Sequence, residues 1–133
     1  MRGALAHLWV WAASQGYDSM TVVDGACPAG GVDLTAHLWA EETDDVTSER
    51  HPMIRETNAG PRRNSRMVAR GADRCLAFPG VGSRGTWDCA RKAVDAGIPT
   101  RLYSLMHPIA SAIGTVTPDT PMGIYHPPLL EER

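Results

Sequence analysis

Leu5, Leu8, Trp9 and Ala12 recur at helical spacing and Gly16 offers a stop, which predicts a helix over 4–15. Residues 20–23 form a short β-branched run ending in Asp24-Gly25, the pattern of a buried strand that leads into a loop. A second helix is predicted over 32–42, where Leu34, His37, Leu38 and Glu41 sample different faces. Residues 43–60 follow neither period clearly, with a short strand near 46–51. Pro61 suits a first helical turn, because it lacks a donor that would have no partner there, so a helix is expected over 61–70 with Gly71 as its stop. Cys75-Leu76-Ala77-Phe78 is a continuous apolar run, as in a strand buried on both faces of a parallel sheet. A loop over 80–85, a helix over 86–96 closed by Gly97, and a strand over 100–105 complete the alternation.

Strands that alternate with helices, each ending in a glycine-containing turn, predict an α/β fold with a doubly wound, mostly parallel sheet and a ligand at its carboxyl edge. The expected domain is 1–105. Beyond it, prolines at 108, 118, 121, 127 and 128 predict an irregular, Pro-rich C-terminal tail over 106–133, with a single strand-like piece at 113–117.

With 133 residues the chain is long enough for one domain and short for two. Hydrophobic residues at 43% and charged residues at 21% exclude the profile of a disordered chain. A formal charge of −2 supplies no general attraction to polyanions, so nucleic acid is an unlikely partner unless a local patch holds it. Lys92 is the sole lysine; a bias toward arginine suits planar recognition of phosphate, and GC-rich coding produces the same bias. Cys27, Cys75 and Cys89 form no CxxC or Cys/His array, and the first 13 residues lack a small-residue cleavage site; a cytoplasmic protein without membrane association is expected.

Two loops carry the candidate chemistry. The first, over 24–33, contains Gly25, Gly30, Gly31 and Asp33. The second runs over 79–86 and contains Gly80, Gly82, Ser83, Arg84, Gly85 and Thr86. Glycine permits close backbone approach, and the amino end of the following helix presents N–H groups and partial positive charge, so such a loop binds an anion. The bland reading, a glycine that only makes the turn, is equally open for either loop alone; two after parallel strands are more specific. Between them, Arg62, Arg66 and Arg70 line one helical face as a solvated stripe, whereas Arg63 and Asn64 sit off it in the first turn, where they can point toward a bound anion.

The succession DGACPAGGVD, AGPRRNSRMV and CLAFPGVGSRGTWDCARKAVDAGIP resembles the YspA-type, cpYpsA-related members of the SLOG superfamily found in actinobacteria and their phages. The resemblance covers most of residues 20–103. It implies a Rossmann-like fold and binding of a nucleotide-derived ligand, with no tightly bound cofactor and no single established reaction. The superfamily also contains the LOG-type phosphoribohydrolases and the DNA-processing Smf/DprA proteins. The hydrolases pair an arginine of the middle block with a glutamate after a PGGxGT motif. Arg63 falls on that arginine, while Cys89 occupies the glutamate position and Asp88 precedes it, so Arg63 and Asp88 are the catalytic candidates and the hydrolase reading is weakened. Relatives begin with a central strand and this chain starts at the helix after it, which implies a sheet shortened at the N-terminus with its gap closed, a gap filled by another segment, or a sequence that is a fragment.

That shortening has consequences for packing. Direct pairing of strands 20–23 and 75–78 is the preferred way to close the sheet, ahead of insertion of 113–117 or a strand from a second molecule. Leu5, Leu8 and Trp9 are then expected as surplus apolar surface, which favours a homodimer. His7, His37, His51, His107 and His126 are scattered, so no metal site is expected. Ser83 and Cys27 lack a nucleophile's context; Trp87 is a core residue or, beside Thr86, the border of a base. The leading function is binding or sensing of a nucleotide-derived small molecule. The alternatives are nucleotide or nucleoside-monophosphate hydrolysis and a nucleic-acid-binding or phage-encoded interaction protein with a vestigial site.

Overall fold

A computed structural model describes residues 1–80 and 83–103 and the backbone of 112–115. Two compact units divide the chain, Met1–Arg55 and Glu56–Arg133. Both are α/β, with four helices and short parallel strands between them among the described residues.

The first unit contains α1 (Arg2–Ser14), β1 (Met20–Asp24), α2 (Gly31–Glu42) and β2 (Val46–Arg50). β1 and β2 pair in parallel, Met20 opposite Val46 and Asp24 opposite Arg50. A parallel pair needs a crossover, which α2 supplies as in a βαβ unit. Ala36, Trp39 and Ala40 recur at three- and four-residue spacing and are buried, as are Leu5 of α1, Val22 of β1 and Val46 of β2. The irregular stretch after residue 43 does yield the strand read near 46–51. Its start is fixed by a turn in which Asp45 takes a left-handed φ of 63° and the Val46 N–H donates to the Thr43 carbonyl.

The second unit contains α3 (Ala59–Arg70), β3 (Cys75–Ala77), α4 (Arg84–Asp95), β4 (Thr100–Tyr103) and β5 (Ala112–Thr115). β3 and β4 pair in parallel around the α4 crossover, and β5 adds antiparallel to β4, with a register irregularity between Leu102 and Tyr103. Ala77, Trp87, Ala90 and Leu102 form the core, with Val94 packed against it. Phe78 stacks on Tyr103 with ring centroids 4.9 Å apart.

Several boundaries move. α3 starts at Ala59, two residues before Pro61, which still sits in the first turn where its missing N–H costs no hydrogen bond. α4 starts at Arg84, so Gly85 lies inside the helix. Within the first unit β1 pairs with β2, and within the second β3 pairs with β4. The strand-like piece at 113–117 corresponds to β5, which pairs antiparallel with β4. Leu5 is buried, contrary to its reading as surface, while Leu8 and Trp9 are half-buried. The remainder of 106–133 and the end of the strand read over 100–105 lie outside the described residues.

Candidate functional site

In the second unit, α3 and α4 are joined by a polar network centred on Asn64, which is 4% exposed. Its Nδ2 donates to the Gly85 carbonyl at 3.1 Å and to Asp88 Oδ2 at 3.0 Å, and its Oδ1 accepts from Arg63 Nε at 2.9 Å. Lys92 Nζ donates to the same Asp88 oxygen at 2.9 Å and to the Pro61 carbonyl at 2.7 Å. A buried side-chain amide is costly unless satisfied, and here both its N–H groups and its oxygen are used. Arg63 is thereby fastened beside the first turn of α4.

The loop before α4 folds back on itself. Ser83, the N-cap residue, accepts a hydrogen bond from the Gly80 N–H through Oγ at 2.7 Å and donates its own N–H to the Gly80 carbonyl at 3.3 Å. The Trp87 N–H closes the first helical bond on the Ser83 carbonyl. Arg84 and Gly85 are exposed, and Ser83 and Thr86 are half-buried. Gly82 lies outside the described residues. Trp87, at 3% exposure, is a core side chain.

The structure thus brings Arg63, Asn64, Gly85 and Asp88 into one cluster, with Ser83, Arg84 and Thr86 on the same helical turn. Arg62 and Arg66 turn instead to Glu56, at 3.5 and 2.8 Å, and Arg70 Nη1 donates to the Gly71 carbonyl at 3.1 Å. Lys92 was not singled out from the sequence as a site residue, although its i,i+4 spacing from Asp88 carried the signal.

Gly25, Gly30, Gly31 and Asp33 belong to the first unit. Gly30 caps α2 with φ 85° and ψ −106°, a conformation open only to glycine, and Gly31 begins the helix. The loop's own carboxylates occupy its donors. Asp33 Oδ2 accepts the Cys27 N–H at 2.9 Å, and Asp24 Oδ1 accepts the Ala26 N–H at 2.7 Å, where Ala26 holds a left-handed φ of 50°. Asp24 also pairs with Arg50, Nε to Oδ1 at 3.1 Å, while its Oδ2 is buried with no hydrogen-bond partner. This arrangement was missed in the sequence, since only the strand register sets the two residues opposite each other.

Cys75, on β3, is held protonated. Burial is the main cause, with the neighbouring Cys89 adding to it and a hydrogen bond with Thr100 acting the other way; the thiol is pushed from 9.0 up to about 11. Cys27 is exposed. Among the described residues no group of three or more His, Cys, Asp or Glu side chains is placed to hold a metal, and no helix is long and apolar enough to cross a membrane.

These features define a small α/β protein with βαβ crossovers and glycine-containing turns at its strand ends. No family model matches the chain, and no solved structure matches it. It is 45% identical over 87 residues to the Gene 61 protein of Mycobacterium phage D29, an alignment that covers 60% of this chain and 68% of that protein. The chain belongs to the family of that phage protein.

Proposed function

We propose that the chain is a SLOG-type protein with a Rossmann-like arrangement that binds a nucleotide-derived small molecule, its phosphate held at the first turn of α4 by backbone N–H groups, Ser83, Thr86 and Arg63. The observation that carries this reading is the Asn64 bridge, which ties Arg63 to the helix turn that begins at Arg84. The first N–H groups of a helix lack intrahelical acceptors and sit at its positive end, and a guanidinium beside them adds planar, charge-assisted donors. Binding of a small anion is favoured over binding of a polynucleotide, because Glu56 already engages Arg62 and Arg66 of the basic stripe. Homodimerisation is part of the same proposal.

The test is a thermal-shift series of the full chain with nucleoside monophosphates, cyclic nucleotides and ADP-ribose. A ligand at 100 times its Kd stabilises by about 2.7 kcal/mol. We expect such a shift for at least one member and its loss in Arg63→Ala, with partial retention in Arg63→Lys. A flat response across the series removes the reading and leaves the interaction-protein alternative, which kinship with a phage gene product favours.

A further inference from the structure

We propose that the carboxyl end of the β1–β2 pair holds a small-molecule site of its own, for a neutral ligand that sets an N–H donor beside an acceptor, as the edge of a nucleobase or of a carboxamide does. The site lies wholly within the first unit and is separate from the anion site proposed at α4. Asp24 ends β1 and Arg50 opposite it ends β2, and the carboxyl ends of parallel strands are where α/β proteins meet their ligands. The Asp24 side chain is 3% exposed. Its Oδ1 accepts from both the Ala26 N–H and Arg50 Nε, whereas Oδ2 is buried with no donor among the described residues. A buried acceptor left in this way is costly, and a group in a native protein that bears such a cost calls for a partner.

The chemistry of that partner follows from the groups around Oδ2. Arg50 already balances the carboxylate charge, and among the described residues no group of three or more His, Cys, Asp or Glu side chains is placed to hold a metal, so a neutral donor fits better than a cation. Phosphate does not fit, because the Ala26 and Cys27 amides that would bind it donate to the carboxylates of Asp24 and Asp33, which would repel it. Arg50 reads the other half of the edge. Among the described residues its guanidinium donates to Asp24 through Nε, and the side chain is 30% exposed, so the Nη donors of the same planar fork stand beside the carboxylate within reach of solvent. An acceptor and a fork of donors side by side are complemented by a flat edge that carries one donor and one acceptor. The segment after Asp24 is exposed at Cys27, Pro28 and Ala29 and holds Ala26 in a strained left-handed φ of 50°, so a ligand reaches Oδ2 by shifting a surface loop and not the core.

Titration calorimetry on the full chain with two matched pairs of probes tests this, nicotinamide against methyl nicotinate and adenine against purine, with ribose as a hydroxyl-only control. Methyl nicotinate and purine keep the ring and the acceptor and lack the exocyclic N–H. We expect nicotinamide or adenine to bind about tenfold tighter than its counterpart, as one hydrogen bond to a charged acceptor supplies; which pair shows it tells a carboxamide from a nucleobase. Asp24→Asn should erase the advantage, since its amide would set a donor against a donor. Where that variant does not fold, Arg50→Lys, which keeps the charge and loses the planar fork, should weaken the preferred probe several-fold. Equal binding within both pairs, or no binding of any probe, overturns the inference and means that Oδ2 is satisfied by water alone. Binding of ribose without nicotinamide or adenine overturns it in favour of a hydroxyl ligand, and an advantage that survives in folded Asp24→Asn or Arg50→Lys overturns it by placing the probe elsewhere. No probe carries phosphate, so Arg63→Ala should leave the preferred probe's affinity unchanged, and failure of the anion site leaves this one standing.

Discussion

Asn64 on α3 and Asp88 on α4 are joined by a 3.0 Å hydrogen bond, with the Lys92 ammonium on the same carboxylate oxygen. This contact makes the α3–α4 pairing a matter of polar matching as well as apolar packing. Asn64→Ala would leave the Gly85 carbonyl and the Asp88 carboxylate each short of a donor. We expect a loss of about 2–3 kcal/mol, read as a lower urea midpoint at unchanged m-value. Asn64→Asp should be worse, because it sets a second carboxylate against Asp88. A midpoint unmoved by either variant would show that the network carries no stability.

The Cys75 thiol gives a pH signature. In the folded chain it ionises near 11, against 9.0 when unfolded, so the native state favours the protonated form. The contribution is complete below pH 9 and is lost as pH rises through about 11. Stability should therefore fall across that window more steeply than in Cys75→Ala. Alkylation at pH 8 should modify the exposed Cys27 well before Cys75, since the thiolate is the reacting species. Equal labelling of the two, followed by mass spectrometry of the peptides, would contradict the burial argument.

Local periodicity and turn chemistry carried most of the element order. Residues 20–23 and 75–78 read as strands because a β-branched or continuous apolar run ends in a glycine turn, and both are strands. Partnering between strands was less legible. β1 pairs with β2 and β3 with β4 because each helical crossover returns the chain beside the strand it left. The same limit applies to the candidate site. Arg63, Asn64 and Asp88 were each identifiable from their blocks, but the function of Asn64 as the bridge depends on the contact of two helices. The Asp24–Arg50 pair depends on strand register, which no short sequence pattern encodes.

Self-association should involve α1. Val10 is 69% exposed and Trp11 beside it is also exposed, and on α2 Leu34 and Leu38 stand one turn apart and open to solvent. Exposed apolar side chains on a small protein favour an interaction surface, and a two-fold pair of identical faces is the simplest arrangement that covers them. Sedimentation equilibrium at high micromolar concentration should give a dimer, and Val10→Glu should give a monomer. The variant's melting temperature when monomeric should stay within the range of an ordinary surface change, about 0.5 kcal/mol. A monomer for the unsubstituted chain would remove the dimer proposal.

Phosphoribohydrolase activity is expected to be negligible. Cleavage of an N-glycosidic bond needs a carboxyl group free to donate or position a proton at the departing base, within hydrogen-bond reach of it. The position that resemblance assigns to that acid holds Cys89, and the adjacent Asp88 already accepts from Asn64 Nδ2 and Lys92 Nζ on one oxygen. The Lys92 ammonium stands 2.9 Å from that oxygen. Freeing Asp88 for catalysis would break the α3–α4 bridge that positions Arg63, so the two requirements conflict. Base release from nucleoside monophosphates, followed by chromatography over hours at micromolar protein, should not exceed the rate without protein. Lys92→Met should not raise it, because removing the ammonium leaves Asn64 in place. Robust release that disappears in Asp88→Asn while nucleotide-induced thermal stabilisation persists would establish Asp88 as the acid and reverse this assignment.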